Sequence, residues 1–263
     1  MVIFNSYKYK SSIIVILLII IAKSAMAQGT AGYNAPFESR EIIDMPTAGV
    51  LPKNSFNIKS KLYNEGGLAL ETNFSFLKNL MLGISFSGNN VIGNDNLQFQ
   101  KIPGFNLKFR VFDETIKIPA IAVGFSNQGN GKWINSINRF ENLSPGFYLA
   151  LSKNFAWQLG EVSATGGIHY SFEPSKEDRC VNVYGGFEQT IWKYFSISGE
   201  LNLNLDDIAY LEKKSPINFH LSLKSSIANG ITIELQLRNI INSNKYIASG
   251  FERRLSIDII RSF

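Results

Sequence analysis

The chain of 263 residues ends in the sequence RRLSIDIIRSF, residues 253–263, in which apolar and polar side chains alternate up to a terminal aromatic residue. Successive side chains of a β-strand point to opposite faces, so Leu255, Ile257 and Ile259 would share an apolar face. Arg254 and Asp258 would lie on the polar face. A strand with one lipid-facing side, one wet side and a final aromatic is typical of the closing strand of an outer-membrane barrel. The stretch predicts an all-β fold, a transmembrane antiparallel β-barrel, with Phe263 as its membrane-assembly signal.

The first 27 residues have the pattern of an export signal. Lys8 and Lys10 precede the apolar run Ile13–Ala22, and Ala25-Met26-Ala27 supplies the small-x-small motif of a signal peptidase site. The run is about half as long as the roughly 20 residues of a membrane-spanning helix. We predict a signal peptide at residues 1–27, a periplasmic segment at 28–54 that is disordered or partly plugs the lumen, and an outer-membrane barrel at 55–263. The predicted location is the outer membrane of a Gram-negative bacterium.

The charge balance excludes one class of partner. Removal of Lys8, Lys10 and Lys23 with the signal lowers the net charge from +5 to +2 (5 − 3 = 2). A mature chain so close to neutrality gives no reason to expect nucleic-acid binding. Cys180 is the one cysteine, so it cannot form an internal disulfide, and we interpret it as a small residue between a loop and a strand.

Alternation with a period of two predicts about twelve strands after Ser55, an even number as in single-chain bacterial barrels. Long and short connections alternate after the first hairpin, which predicts long loops outside the cell and both termini in the periplasm. The link at 154–161 is longer than this rule prefers for a periplasmic turn. The predicted strands are 55–63, 67–76, 79–88, 104–112, 117–126, 146–153, 162–172, 181–189, 194–203, 218–225, 230–237 and 253–263.

Charged residues lie on one face of most predicted strands. A charge facing lipid costs a few kcal/mol near the midplane, so we expect these side chains to line the lumen. Such a lumen could hold a polar, uncharged solute, or its charges could pair across a narrow, filled interior. A secreted, soluble β-sandwich is the alternative fold. The predicted lumen-lining residues are Lys59, Lys61, Lys108, Arg110, Glu188, Glu200, Glu234, Arg238 and Asp258.

Three stretches in the first half of the mature chain carry a family resemblance. They are MPTAGVLP at 45–52, PGFNLKFR at 103–110 continuing through IPAIAVGF at 118–125, and SPGFYLALSK at 144–153. These stretches resemble the YjbH-type outer-membrane β-barrel family, which is associated with bacterial exopolysaccharide operons. The resemblance implies a barrel with a role in polysaccharide export or in the envelope around it, and it supplies no catalytic residues. Pro46 and Pro52 also have a structural interpretation, because they keep the segment before the first strand extended.

Both histidines occur in the pattern His-x-Ser, as His169 with Ser171 and His220 with Ser222. Residues i and i+2 share a strand face, so each imidazole could take the serine proton, as in outer-membrane acyl hydrolases. Apolar neighbours, however, place both pairs on the lumen side, whereas a pair that acts on lipids should face the bilayer. We interpret the pairs as polar lumen lining and predict that the protein is not an enzyme.

Aromatic residues near strand ends, such as Phe76, Trp157 and Trp192, fit the girdles of a membrane barrel. The 127–145 loop is the predicted glycan contact, because an indole can stack on sugar rings and amides can bond their hydroxyls. Acid-rich segments at 173–178 and 206–207 match no calcium loop, and no nucleotide, zinc or redox motif is present, so we predict no metal and no cofactor. The glycan-contact residues are Asn127, Gln128, Asn130 and Trp133.

The sequence therefore predicts a non-enzymatic outer-membrane barrel that is a porin-like passage or docking element in exopolysaccharide export. A closed structural or surface-binding barrel is the alternative, and an acyl hydrolase using His169 and Ser171 is third. The predicted partners are outer-membrane lipid, the barrel-assembly machinery and a polysaccharide.

Overall fold

A computed structural model of the protein describes residues 37–94, 96–135, 138–158, 160–174, 178–207, 216–241 and 252–263. The predicted signal peptide at 1–27 lies outside the described residues. Within these ranges, no helix is long and apolar enough to cross a membrane. A short 3-10 helix spans Leu205–Asp207, and the strands are β1 (Ser55–Tyr63), β2 (Gly67–Leu77), β3 (Leu80–Asn89), β4 (Gln98–Phe99), β5 (Gly104–Phe112), β6 (Ala120–Ser126), β7 (Asn130–Ile134), β8 (Arg139–Asn142), β9 (Gly146–Trp157), β10 (Gly160–Tyr170), β11 (Asn182–Thr190), β12 (Phe195–Leu203), β13 (Ile217–Ala228), β14 (Ile231–Arg238) and β15 (Glu252–Ser262).

Twelve of the described strands close into one antiparallel barrel. Each barrel strand pairs with the next one along the chain, and β1 pairs with β15 in a register that runs from Ser55↔Ser262 to Leu62↔Leu255. The two-residue strand β4 pairs with the last residues of β3, while β7 and β8 pair with each other as a separate hairpin. The prediction of an all-β antiparallel barrel of about twelve strands is therefore confirmed.

The predicted 154–161 link was wrong. Strand β9 continues to Trp157 and β10 begins at Gly160, and these two residues pair directly, so the turn between them is tight. The alternation stops in sequence because Lys153 and Asn154 are consecutive polar residues, and both bond to Glu114 in the neighbouring turn.

The predicted strand at 117–126 also began too early. In the structure β6 starts at Ala120, directly after a proline. Pro119 has no N–H to donate to a ladder, and the preceding residues form a turn in which Thr115 N–H donates to Ile118 O at 2.9 Å.

The barrel is polar inside and apolar outside. Among the described residues, 40 polar or charged side chains are buried, against 16 apolar ones. On β5, for example, Phe105, Leu107 and Phe109 are 45–52% exposed, whereas Lys108 between them is 2% exposed. A soluble sandwich would have the opposite arrangement, so the exposed apolar belt identifies an outer-membrane barrel.

Apart from the β1–β2 turn, the short turns of the barrel lie at the end that holds Asn54 and Phe263. Phe263 N–H donates to Asn54 O at 3.0 Å, and the Phe263 ring lies 6.4 Å from that of Phe56 and 5.7 Å from that of Phe76. The long connections lie at the opposite end, which in outer-membrane barrels faces the outside of the cell. We call the two ends the periplasmic end and the outer end.

Candidate functional site

Residues 37–54, which we call the plug segment, enter the lumen and leave it again, with Pro52, Lys53 and Asn54 exposed at the rim. The segment forms a narrow loop in which Ile42 N–H donates to Met45 O at 2.9 Å and Thr47 N–H donates to Arg40 O at 3.1 Å. The chain before Asp44 and the chain after it can approach because residue 49 is a glycine, since a Cβ at that position would lie 2.1 Å from Ser39 O. The loop enters at the periplasmic end, turns around Asp44, and returns to the start of β1. Of the two expectations for residues 28–54, the structure shows the lumen position for residues 37–51.

The tip of the plug segment is held by two buried side chains of the barrel wall. Ile43, Asp44 and Met45 donate their backbone N–H groups to Glu200 Oε2 at 2.9, 2.8 and 2.9 Å. Arg238 is 0% exposed, and its Nη1 donates to Asp44 Oδ1 at 2.6 Å. Hydrogen bonds to ionised groups are the strong ones, so this tip is fixed on both its backbone and its side chain.

Below the tip, the plug segment binds oppositely charged residues that lie side by side in the wall. Glu41 Oε2 lies 2.7 Å from Lys59 Nζ and 3.2 Å from Lys61 Nζ. Arg40 forms a buried ion pair with Asp258, which is the register partner of Lys59 on the adjacent strand. The side chains of the plug segment are therefore complementary in charge to this part of the wall.

Two wall lysines bind the backbone of the plug segment instead of its side chains. Lys108 Nζ donates to Arg40 O at 2.7 Å and to Gly49 O at 3.2 Å. Lys224 Nζ donates to Ile42 O at 2.9 Å and to Glu188 Oε2 at 2.7 Å. These bonds give the buried Ile42 and Gly49 carbonyls a donor and give the Arg40 carbonyl a second one beside the Thr47 N–H, as a buried backbone requires.

The plug segment also supplies the apolar interior of the barrel. The three buried apolar clusters among the described residues each contain part of it. Ile42, Ile43 and Met45 pack on Tyr184, whose hydroxyl donates to Pro46 O at 2.8 Å. Elsewhere Ala48 packs on Ala120 and Ala122, and Leu51 packs on Met81 and Ile260. Residues 42–51 therefore supply most of the apolar contacts between the plug segment and the wall, and Phe37 adds one at the third cluster.

Little empty space remains between the plug segment and the wall beside Arg40 and Glu41. A gap of about 30 Å³ separates Arg40 and Glu41 from the wall at Lys59, Glu234 and Asp258. That volume holds roughly one water molecule. An eight-stranded barrel is filled by its own side chains and barrels of 16 or more strands leave a channel, so twelve strands need such a segment to be filled.

The structure places the nine sequence-predicted lumen residues on the inner face. All except Glu188 and Glu234 bind the plug segment. Five of them do so through an ion pair, and Lys108 and Glu200 do so through hydrogen bonds to its backbone. The sequence analysis did not identify the partners on the plug segment. The signal was present in Glu38-Ser39-Arg40-Glu41, a run of charges just before two isoleucines.

The two His-x-Ser pairs lie on the inner face as well. His169 is 2% exposed and Ser171 is fully buried, and Ser171 Oγ accepts the N–H of Glu173 at 3.4 Å. His220 Nδ1 accepts the N–H of Asn239 at 3.1 Å. Neither pair faces the lipid.

One buried group has the residue types of a metal site. Asp44, Glu200 and His220 each offer a ligand atom, and these atoms lie within 4.8 Å of one another. Their lone pairs are already used, because Asp44 binds Arg238 and Glu200 accepts three N–H groups. The Arg238 guanidinium supplies the positive charge that an ion would bring.

The four predicted glycan-contact residues are not brought together on one surface. Asn130 Oδ1 accepts from Lys61 Nζ at 3.2 Å inside the barrel mouth, and Gln128 Oε1 accepts from Ser85 Oγ at 2.8 Å. Asn127 Nδ2 donates to Pro103 O at 3.4 Å. The Trp133 ring meets that of Phe140 edge to face at 4.9 Å. The four residues hold the loop to the barrel.

Residues 130–142, which contain β7 and β8, form what we call the outer hairpin. A chain of ionised groups runs from the tip of the plug segment to this hairpin. Arg238 binds Asp44 at the tip, and its Nε lies 3.8 Å from Glu252 Oε2. The same Glu252 oxygen lies 2.8 Å from Arg254 Nη2. Arg254 Nη2 in turn lies 4.0 Å from Glu141 Oε2 in β8. The plug segment and the outer hairpin are thus electrostatically connected through the wall.

Glu173, in the connection after β10, fastens the outer hairpin. Its Oε2 accepts the N–H of Phe140 at 3.2 Å and its Oε1 accepts the N–H of Ser144 at 3.3 Å. Burial disfavours the charged form and raises the pKa of Glu173 from 4.5 to about 7. A carboxyl group whose pKa is raised on folding stabilises the fold below its unfolded pKa, and this contribution is lost as the pH rises through about 7.

We therefore expect the outer hairpin to open more readily at pH 8 than at pH 6. The measurement is amide hydrogen exchange over residues 139–145, corrected for the intrinsic pH dependence of exchange. Glu173→Gln, which cannot ionise, should remove the difference. Equal protection at both pH values in the wild type, or an unchanged difference in the variant, would contradict this role of Glu173.

No protein-family model matches the chain, and no curated protein matches it. Solved structures similar to it include a KdgM porin, with a TM-score of 0.43 and 12% identity over 80% of this chain and 99% of that one. A NanC porin has a TM-score of 0.43 and 9% identity over 79% and 99% of the two chains. The outer-membrane channel DcaP of Acinetobacter baumannii has a TM-score of 0.26 and 8% identity over 80% and 96%. The assignment of the fold rests on the strand pairing and the exposed apolar belt described above.

Proposed function

We propose that the protein is a non-enzymatic, porin-like outer-membrane barrel that its own N-terminal segment keeps closed at rest. The observation that carries this proposal is the tip of the plug segment, where Glu200 accepts three backbone N–H groups and Arg238 binds Asp44. A segment that merely passed through an open pore would not need buried ionic partners in the wall. Of the two functions expected from the sequence, this supports the closed barrel over the open passage.

The inward position of both His-x-Ser pairs supports a barrel without enzymatic activity. A hydrolase that acts on membrane lipids needs its nucleophile at the bilayer, whereas Ser171 is fully buried on the inner face. From the resemblance to the YjbH-type family we further propose that the closed barrel serves the handling of exopolysaccharide as a docking element. Its long connections at the outer end would provide the docking surface.

The proposal is tested by the conductance of the refolded mature barrel in planar lipid bilayers. We expect no stable conductance steps from protein whose insertion is confirmed by heat-modifiable migration and protease protection. Stable steps from the wild-type protein at moderate voltage would show an open lumen and contradict the closed resting state.

A further inference from the structure

A cleft at the outer end of the barrel lies outside the plugged lumen. Its volume is about 610 Å³, within the range of roughly 300–1,000 Å³ that is usual for small-ligand sites. Three chain segments form it, namely the β1–β2 turn, the connection after β3, and the outer hairpin. The lining residues are Glu65, Gly66, Asn90, Ile92, Gly93, Asn96, Gln98 and Lys132.

The floor of the cleft is held in place by backbone hydrogen bonds. Asn90 N–H donates to Glu65 O at 3.2 Å and Ile92 N–H donates to Gly66 O at 3.0 Å. Gly66 has a φ of +62°, and a Cβ there would lie 1.8 Å from Ile92 O, so a glycine is required for this contact. The cleft is therefore formed before any ligand arrives.

The side chains of the cleft are suited to an uncharged, polyhydroxylated ligand. Lys132 Nζ forms an ion pair with Glu65, so the two charges of the lining neutralise each other. Asn96 and Gln98 are exposed and carry amides, each of which can donate to one hydroxyl group and accept from another. Ile92 is 63% exposed and offers an apolar contact for the C–H face of a sugar ring. No atom lies within 4 Å of the place that a Cβ at residue 93 would occupy. The cleft is therefore open on the side of Gly93, where an extended glycan chain could continue.

We propose that this cleft binds a neutral stretch of glycan through Asn96 and Gln98. Asn90 Nδ2 donates to Asn96 O at 3.0 Å and holds the lining in place. The binding of a glycan deepens the docking role proposed above and rests on it, but it does not require the lumen to be closed. The residues differ from those that the sequence analysis singled out, because the amides at 127–130 are used to fasten their own loop.

The test is calorimetric titration of the full mature barrel in lipid nanodiscs with maltohexaose, cellohexaose and chitohexaose as probes. Nanodiscs avoid detergents that have sugar headgroups. We expect saturable binding of at least one of these neutral probes, weakened at least tenfold in Asn96→Ala/Gln98→Ala. The matched control is Asn94→Ala, an exposed amide of the same connection that does not line the cleft, and its affinity should stay within twofold of the wild type.

Three outcomes would overturn the proposal. The first is that none of the probes binds the folded wild-type barrel saturably, and the second is that the double variant binds as tightly as the wild type. The third is that an acidic hyaluronan hexasaccharide binds where the neutral probes do not. Conductance of the same samples reports on the plug separately, so failure of the glycan site and failure of the closed barrel are distinguished.

Discussion

Replacing residues 38–51 by a Gly-Ser linker of equal length should turn a silent barrel into one with stable conductance steps. The replacement removes the plug partners of the wall cations and the apolar groups that pack on Tyr184, Met81 and Ile260. A barrel of twelve strands has an interior wider than its own side chains fill, so water and ions should enter. The measurement is single-channel recording in planar bilayers.

Two controls make the plug replacement decisive. Lys78→Ala breaks an exposed ion pair with Asp113 near the periplasmic end and should leave the barrel silent. Glu200→Ala keeps the whole plug segment but leaves three backbone N–H groups without their acceptor, so brief openings are expected. Glu200→Gln retains an oxygen acceptor and should open less often. If the linker variant inserts and folds yet stays silent at every voltage, the plug segment is not what closes the lumen.

Arg238→Ala should lower the free energy of unfolding by about 3–5 kcal/mol, because removal of one partner from a buried ion pair leaves the other charge uncompensated. In this case Asp44 would lose its ion-pair partner and Glu252 would keep only Arg254, at a site where Glu200 adds a third carboxylate nearby. The measurement is equilibrium unfolding in urea with the barrel in lipid vesicles, followed by tryptophan fluorescence.

A double-mutant cycle separates the ion pair from the loss of side-chain packing. Asp44→Ala/Arg238→Ala should be destabilised by less than the sum of the two single variants, because the double variant no longer contains the unpaired Asp44 carboxylate. Lys78→Ala breaks an exposed ion pair and serves as the comparison. It should change the free energy of unfolding by no more than about 0.5 kcal/mol. Additive single effects would mean that Asp44 and Arg238 do not stabilise each other.

The strands could be predicted from the sequence because lipid and water impose a period of two on each of them. β5 shows this in its strict alternation of Phe105, Leu107 and Phe109 with polar residues. The prediction failed where the alternation is interrupted, as at Lys153 and Asn154, which nevertheless lie within β9.

The lumen residues could be predicted as a class, but their partners could not. Asp44 and Arg238 are 194 positions apart, and no local pattern connects them. The plug segment is too short and too irregular for any periodicity, since its loop is fixed by single contacts such as Gly49 against Ser39. The outer hairpin was predicted as a loop because asparagine and glycine in β7 mask its strand character.

The plug segment precedes every barrel strand in the chain, yet its wall partners come late. Arg40 binds Asp258, 218 positions further on, and the N–H of Ile43 binds Glu200 after 157 positions. Contacts at such separations form slowly, because a long loop must close first. The plug segment can therefore become fully seated only after the final strands have been added, and a truncated or stalled assembly intermediate would lack Asp258, one of the groups that retain it. Insertion of the plug segment into the lumen would therefore indicate that the barrel is complete.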